Sequence, residues 1–147
     1  MPYEDMSDLG LLELAIWREA RGEGFNGKRG VAHVILNRTK VGTWWNHHIP
    51  SSVAHVVLQP YQFSSFNVGD VNADKWPADD DLDFSECVGA AALVSSGSDE
   101  DNTDGATHYF DVSISWPAEW GEESMYENTL NVGRLRFWKL RGIHKVT

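Results

Sequence analysis

The run Trp17-Arg18-Glu19-Ala20-Arg21-Gly22-Glu23-Gly24 sets two carboxylates four residues apart, with glycines close behind. On a helix that spacing stacks Glu19 above Glu23 on one face, one turn apart. Crowded like charges raise the pKa of one carboxyl while a better solvated partner stays ionised, which keeps a proton donor available near neutral pH. The same pair also describes an amphipathic helix whose glutamates are solvated and matched by Arg18 and Arg21. Spacing alone leaves both readings open.

Other chemistries find less support. The six histidines His33, His47, His48, His55, His108 and His144 include no His-Glu-x-x-His arrangement, and the adjacent rings of His47 and His48 point apart in regular structure, so no metal is expected. Glu100-Asp101-Asn102-Thr103-Asp104-Gly105 faintly resembles a calcium loop, with Asp111 as the closing acid; a solvated acidic loop is the simpler account. No Gly-x-Ser-x-Gly element supports a serine nucleophile. The single cysteine, Cys87, excludes an intramolecular disulfide and sits in a helical pattern that makes it a buried small hydrophobe.

Charge narrows the partners. The formal net charge is −10, with six acids against six Lys/Arg in residues 1–69, sixteen against one in 70–127, and none against five in 128–147. An acidic middle argues against nucleic acid, whose phosphates draw on clustered Lys and Arg. The basic tail of Arg134, Arg136, Lys139, Arg141 and Lys145 is either a patch for an anionic surface or a solvated strand edge. No apolar run approaches the length of a membrane span.

Those residues need elements to hold them. Asp5 or Ser7 is expected to cap a helix to about Arg21, with Leu9, Leu12, Ile16 and Ala20 inward and Gly22 as its stop. Asn26 is expected to cap a second helix to about Arg38, with Val31, Val34 and Ile35 inward. Ser51 or Ser52 begins a short helix through Leu58, ended by Pro60. Residues 67–82 read as a loop, and a helix follows from about Phe84 to Ser95, ended at Gly97. The segments Thr107–Val112 and Leu135–Leu140 are aromatic and β-branched enough to pair as strands. The chain is thus expected to be one α+β domain over residues 1–147, mainly helical, with a minor antiparallel sheet beside a cleft. Seven Trp is a high count; such rings suit the flat faces of sugars, though most are expected to fill a core or anchor a loop.

Residues 19–38, Glu-Ala-Arg-Gly-Glu-Gly-Phe-Asn-Gly-Lys-Arg-Gly-Val-Ala-His-Val-Ile-Leu-Asn-Arg, closely resemble the signature of the SleB-type cell wall hydrolases, the family of the spore cortex-lytic enzymes. Pro50-Ser51-Ser52-Val53, Gln62-Phe63-Ser64 and Gly105-Ala106-Thr107-His108-Tyr109-Phe110, with Pro117 and Trp120 beyond, resemble further elements of that family. The resemblance runs from about Leu11 to about Trp138. It departs at Gly133-Arg134-Leu135-Arg136-Phe137-Trp138, where Leu135 occupies the family's usual histidine position.

The resemblance implies a lysozyme-like fold, no cofactor, and bacterial peptidoglycan glycan strands as substrate. Glu19 matches the first glutamate of the motif and takes the part of catalytic acid, protonating the oxygen between N-acetylmuramic acid and N-acetylglucosamine, its own pKa raised by partial burial. A lytic transglycosylase would then use the same Glu19 to take a proton from the sugar's 6-hydroxyl, closing a 1,6-anhydro ring; a hydrolytic muramidase would need a second carboxylate. The resemblance favours the first. Glu23 becomes a supporting residue or a cap on nearby backbone amides. Gln62 and Ser64 are candidates for the acetamido groups, and Tyr61, Phe63, Tyr109 and Trp120 for the floor of the groove. A non-catalytic glycan-binding module is the rival class. The start of the chain shows no export signal and no wall-binding module is seen, so a monomeric phage endolysin is expected, made in the host cytoplasm and reaching the wall once the membrane is opened.

Overall fold

The computed structural model describes residues 3–41, 52–59, 63–67 and 69–141. Expectations for Pro50, Ser51, Pro60, Tyr61, Gln62, His47, His48, His144 and Lys145 lie outside them. Four helices, α1 (Asp8–Ala20), α2 (Phe25–Arg38), α3 (Val53–Leu58) and α4 (Leu82–Ser95), precede a sheet of β1 (His108–Asp111), β2 (Tyr126–Val132) and β3 (Leu135–Leu140). The sheet is antiparallel in the order β1-β3-β2. The architecture is the expected α+β one, mainly helical with a small antiparallel sheet.

Local chemistry explains most boundaries. Ser7 caps α1 by accepting the Gly10 amide at 3.0 Å, a contact of about 1 kcal/mol. Helix α1 ends at Ala20 with Arg21 as its cap, so Glu23 lies beyond the helix and the two carboxylates do not share a helical face. Leu9, expected inward, is 43% exposed. The cap of α2 is Gly24, not Asn26, whose side chain instead accepts from Arg29 at 2.9 Å. Ser52 caps α3 through the His55 amide, and Asp81 caps α4 through the Phe84 amide, starting α4 two residues before the expected Phe84.

Leu12, Ile16, Val31, Val34, Ile35, Val57, Cys87 and Phe137 are fully covered in one cluster drawn from α1, α2, α3, α4 and the sheet. Leu135 belongs to this cluster, so the position of the family histidine is core here. Burial pushes the Cys87 thiol up to about 12, as its reading as a buried hydrophobe requires. Strand β2 was absent from the expected elements; its alternation is broken by the bulge between Asn128 and Leu130. Of the basic tail, Arg136 and Lys139 lie on β3, the central strand, so these two cations do not line a sheet edge. Arg134 instead pairs with Asp111 at 2.9 Å, and Arg136 bonds the carbonyls of Gly133 and Leu135.

Candidate active site

Glu19 sits in the last turn of α1, half-buried, where two hydroxyls converge on it. Tyr109 of β1 donates to Oε1 at 2.6 Å, and Ser65, from the short turn Ser64–Phe66, donates to Oε2 at 3.1 Å. Neither donor carries charge. Burial pushes the Glu19 carboxyl above its ordinary range and Asp70 adds to the push; Tyr109, Ser65 and the Arg38 cation pull the other way without cancelling it. Burial and the neighbouring Glu19 together hold the Tyr109 phenol well above the usual tyrosine range, so it remains a donor. The expected push from Glu23 is absent, because Glu23 is turned elsewhere.

The residue beside Glu19 fixes the loop that supplies Ser65. Arg18 is buried, and its guanidinium donates to Tyr3 Oη at 2.7 Å and to the carbonyls of Ser65, Ala73 and Lys75 at 3.2, 3.0 and 3.1 Å. It also lies 4.8 Å from the Phe66 ring centroid and 4.9 Å from that of Trp76. Arg21 stacks over Trp17 at 4.6 Å and reaches Asn72. The two arginines therefore clamp the 63–76 loop to α1 and are not ion-pair partners of the glutamates.

Arg38, at the end of α2, is the buried cation of the site. Its Nε donates to the Thr107 carbonyl at 2.7 Å, and its guanidinium lies over Phe63 at 5.2 Å. Burial lowers its pKa to about 10, which still leaves a cation at neutral pH. Burial, with the Arg38 charge, pushes the imidazole of His108 down to about 2, so that ring is neutral.

The other candidates are dispersed. Glu23 Oε1 accepts the Arg134 amide at 3.0 Å, capping the two-residue turn between β2 and β3. Gly133 opens that turn at φ +55, and a Cβ there would strike Glu23. This is the capping role, applied to a hairpin far away in sequence. Side chains alternate along β1, so Tyr109 faces α1 and Phe137, whereas His108 and Phe110 face the opposite side. Trp120 packs on that opposite side, 4.7 Å from His108 and 5.7 Å from Phe110, in a cluster with Trp116 and Tyr126. The structure thus brings Tyr109 to Glu19 and places Trp120 across the sheet from it. Phe63 is buried beneath Arg38. Ser64 lies in the same short turn as Ser65, its side chain outside the described residues, as are Tyr61 and Gln62. Ser65 and Arg38 were not picked out from sequence. Arg38 closes the Leu-Asn-Arg run, which offered a signal; nothing in sequence distinguishes Ser65 from Ser64.

The acidic loop is not merely solvated. Asp101 accepts from the Thr103 amide and hydroxyl, the Gly105 amide and Asn37, all within 2.6–2.9 Å, and Asp99 pairs with Arg29 at 2.9 Å and His33 at 2.7 Å. Among the described residues no group of three or more His, Cys, Asp or Glu is placed to hold a metal ion. No described helix is long and apolar enough to cross a membrane.

Residues 22–138 match the Cell Wall Hydrolase family; the matched span includes Glu23 and begins three positions after Glu19. The chain is 31% identical over 108 residues to a spore cortex-lytic enzyme of Halalkalibacterium halodurans, covering 74% of this chain and 28% of that protein. It is 37% identical over 65 residues to a spore cortex-lytic enzyme of Bacillus subtilis, covering 44% of this chain and 20% of that one. The catalytic domain of the Bacillus cereus SleB protein superposes with a TM-score of 0.65 at 26% identity, over 90% of this chain and 89% of that domain. The SleB catalytic domain of Bacillus anthracis shares the fold, with a TM-score of 0.67 at 23% identity, over 92% and 98%. On the family match and the relationship to the Halalkalibacterium and SleB proteins, this chain belongs to the cell wall hydrolase family.

Proposed function

We propose that this chain cuts the glycan strand of peptidoglycan between N-acetylmuramic acid and N-acetylglucosamine as a lytic transglycosylase, with Glu19 as both acid and base. The observation that carries the reading is a half-buried carboxyl held by two neutral hydroxyls, with its pKa raised by burial. The name of the Bacillus anthracis relative, a germination-specific lytic transglycosylase, supports the same chemistry. Protonated Glu19 gives its proton to the bridging oxygen as the bond to the anomeric carbon breaks. The sugar's 6-hydroxyl oxygen then bonds that carbon, and its proton passes to the Glu19 carboxylate. No water is consumed and Glu19 is restored. Tyr109 and Ser65 hold the carboxyl in place through both transfers, and Arg38 lowers the cost of the carboxylate between them.

Mass spectrometry of digested peptidoglycan tests the route. Products lighter by one water than hydrolysis products are expected; reducible muramic ends alone would overturn it. A hydrolytic second reading needs another carboxylate near Glu19, and Asp70, whose charge adds to raising the Glu19 pKa, is the candidate. In that case Asp70→Asn abolishes release of reducing ends, whereas the transglycosylase retains turnover. A glycan binder without turnover is separated by Glu19→Gln, to which its binding and wall-clearing would be equally indifferent.

A further inference from the structure

A cavity of about 420 Å³ opens where the end of α2, the 100–105 loop and the end of β3 meet, apart from Glu19. Val41, Thr107 and Leu140 line it along with five charged residues, Lys40, Lys139, Glu100, Asp101 and Asp104. Among the described residues these cations and carboxylates form no ion pair with one another. Opposite charges that share a cavity without neutralising each other suit a ligand bearing both signs.

The walls are built. The Lys139 stem lies along Gly105, where a Cβ would stand 3.3 Å from Nζ and 3.4 Å from Cε; glycine leaves the lysine that path. Asp104 takes φ 53, a left-handed backbone that few residues other than glycine adopt. Asp101 also lines the cavity, but its oxygens are occupied by Asn37, Thr103 and Gly105, so it shapes the wall. Thr107 continues the strand ladder through its amide to the Trp138 carbonyl at 3.0 Å. It stands two residues before Tyr109 in the chain, and its hydroxyl accepts the Leu140 amide at 3.2 Å.

We propose that this cavity receives a zwitterionic peptide, the stem peptide attached to the muramic acid of the strand cut at Glu19. Its carboxylates meet Lys40 and Lys139, and the ammonium of its diamino acid meets Glu100 and Asp104. The proposal rests on the reading of Glu19 given above and adds the feature of the substrate that is recognised.

Two measurements test it separately. In an amide NMR titration, free stem tripeptide (alanyl-glutamyl-diaminopimelate) is expected to shift Gly105, Thr107 and Leu140. Lys139→Gln with Asp104→Asn, both at exposed positions and with Asn tolerant of the left-handed backbone, weakens that binding about tenfold or more. In kinetics, the parent has a lower KM for stem-bearing glycan than for glycan stripped of its stems; the double variant loses the difference and keeps parental turnover on stripped strands. Tripeptide shifts that are absent, or unchanged by the double variant, overturn the cavity assignment whatever the kinetics show. A parent that cleaves neither glycan defeats the Glu19 reading, while the tripeptide titration still decides the cavity.

Discussion

Two groups of carboxylates flank α2, and they are tuned in opposite directions. At Glu19 burial dominates, two neutral hydroxyls are the hydrogen-bond donors, and the pKa rises. In the 99–105 loop burial also acts to raise Asp99 and Asp101, but it is overridden. Asp99 has Arg29 and His33, Asp101 has Thr103 and Asn37, and both pKa values fall. The number and charge of the donors decide whether a sheltered carboxyl keeps its proton for chemistry or gives it up to fasten a loop.

The contrast breaks first at Glu19→Gln. Wall-clearing should fall about 10²–10⁴-fold while the melting temperature does not drop, because a neutral amide removes a charge that burial disfavours. Turbidity assays and calorimetry check both halves; unchanged clearing would end the assignment. Asp101→Ala should cost about 3 kcal/mol in urea unfolding, since donors from Thr103, Gly105 and Asn37 lose their acceptor together.

The pH dependence of stability sharpens the comparison, because the two signs differ. Asp99 and Asp101, with lowered folded pKa values, contribute stability that is present above the ordinary Asp value of about 3.9 and lost as pH falls through their folded values. Glu19, with a raised one, favours the fold below the ordinary Glu value of about 4.3, and that contribution is gone once pH rises through its folded value. Thermal melts across this range should show a smaller acid-side fall in the double variant Asp99→Asn/Asp101→Asn, with Asp111 beside Arg134 supplying what remains, and should lose the second decline in Glu19→Gln.

Smaller effects follow. Tyr109→Phe removes a donor that favours the carboxylate, so the Glu19 midpoint in carboxyl NMR should move up. A downward shift would contradict the hydrogen bond as drawn. Glu23→Ala should cost about 1 kcal/mol through the uncapped hairpin, with activity per folded molecule near that of the parent. A loss as large as that of Glu19→Gln would return Glu23 to the chemistry.

Where sequence and structure part, the cause is tertiary. Hydrophobic period and capping residues narrowed the caps to Asp5 or Ser7 and Ser51 or Ser52, and gave the inward faces of α1, Leu9 apart, and of α2, because those signals are local. The pairing of β1 with β3 followed from aromatic content. Arg18 and Arg21 look like partners of the adjacent glutamates until the 63–76 loop is folded back over them, and no local rule foresees that loop. Glu23 likewise depends on an amide 111 residues away. At the site, Glu19 was singled out through the family signature, whereas Tyr109 was expected only in the floor of the groove and its hydroxyl bond to Glu19 was not foreseen. Ser65 was not singled out, because the choice between adjacent serines is made by a single short turn.

The enclosed thiol of Cys87 has a practical consequence. It is the single sulfhydryl of the chain, wholly covered and with its pKa near 12, so a thiol reagent at neutral pH labels it from molecules whose packed helices have parted. The rate of that labelling is a clock for transient opening, readable without any substrate and applicable to each variant above.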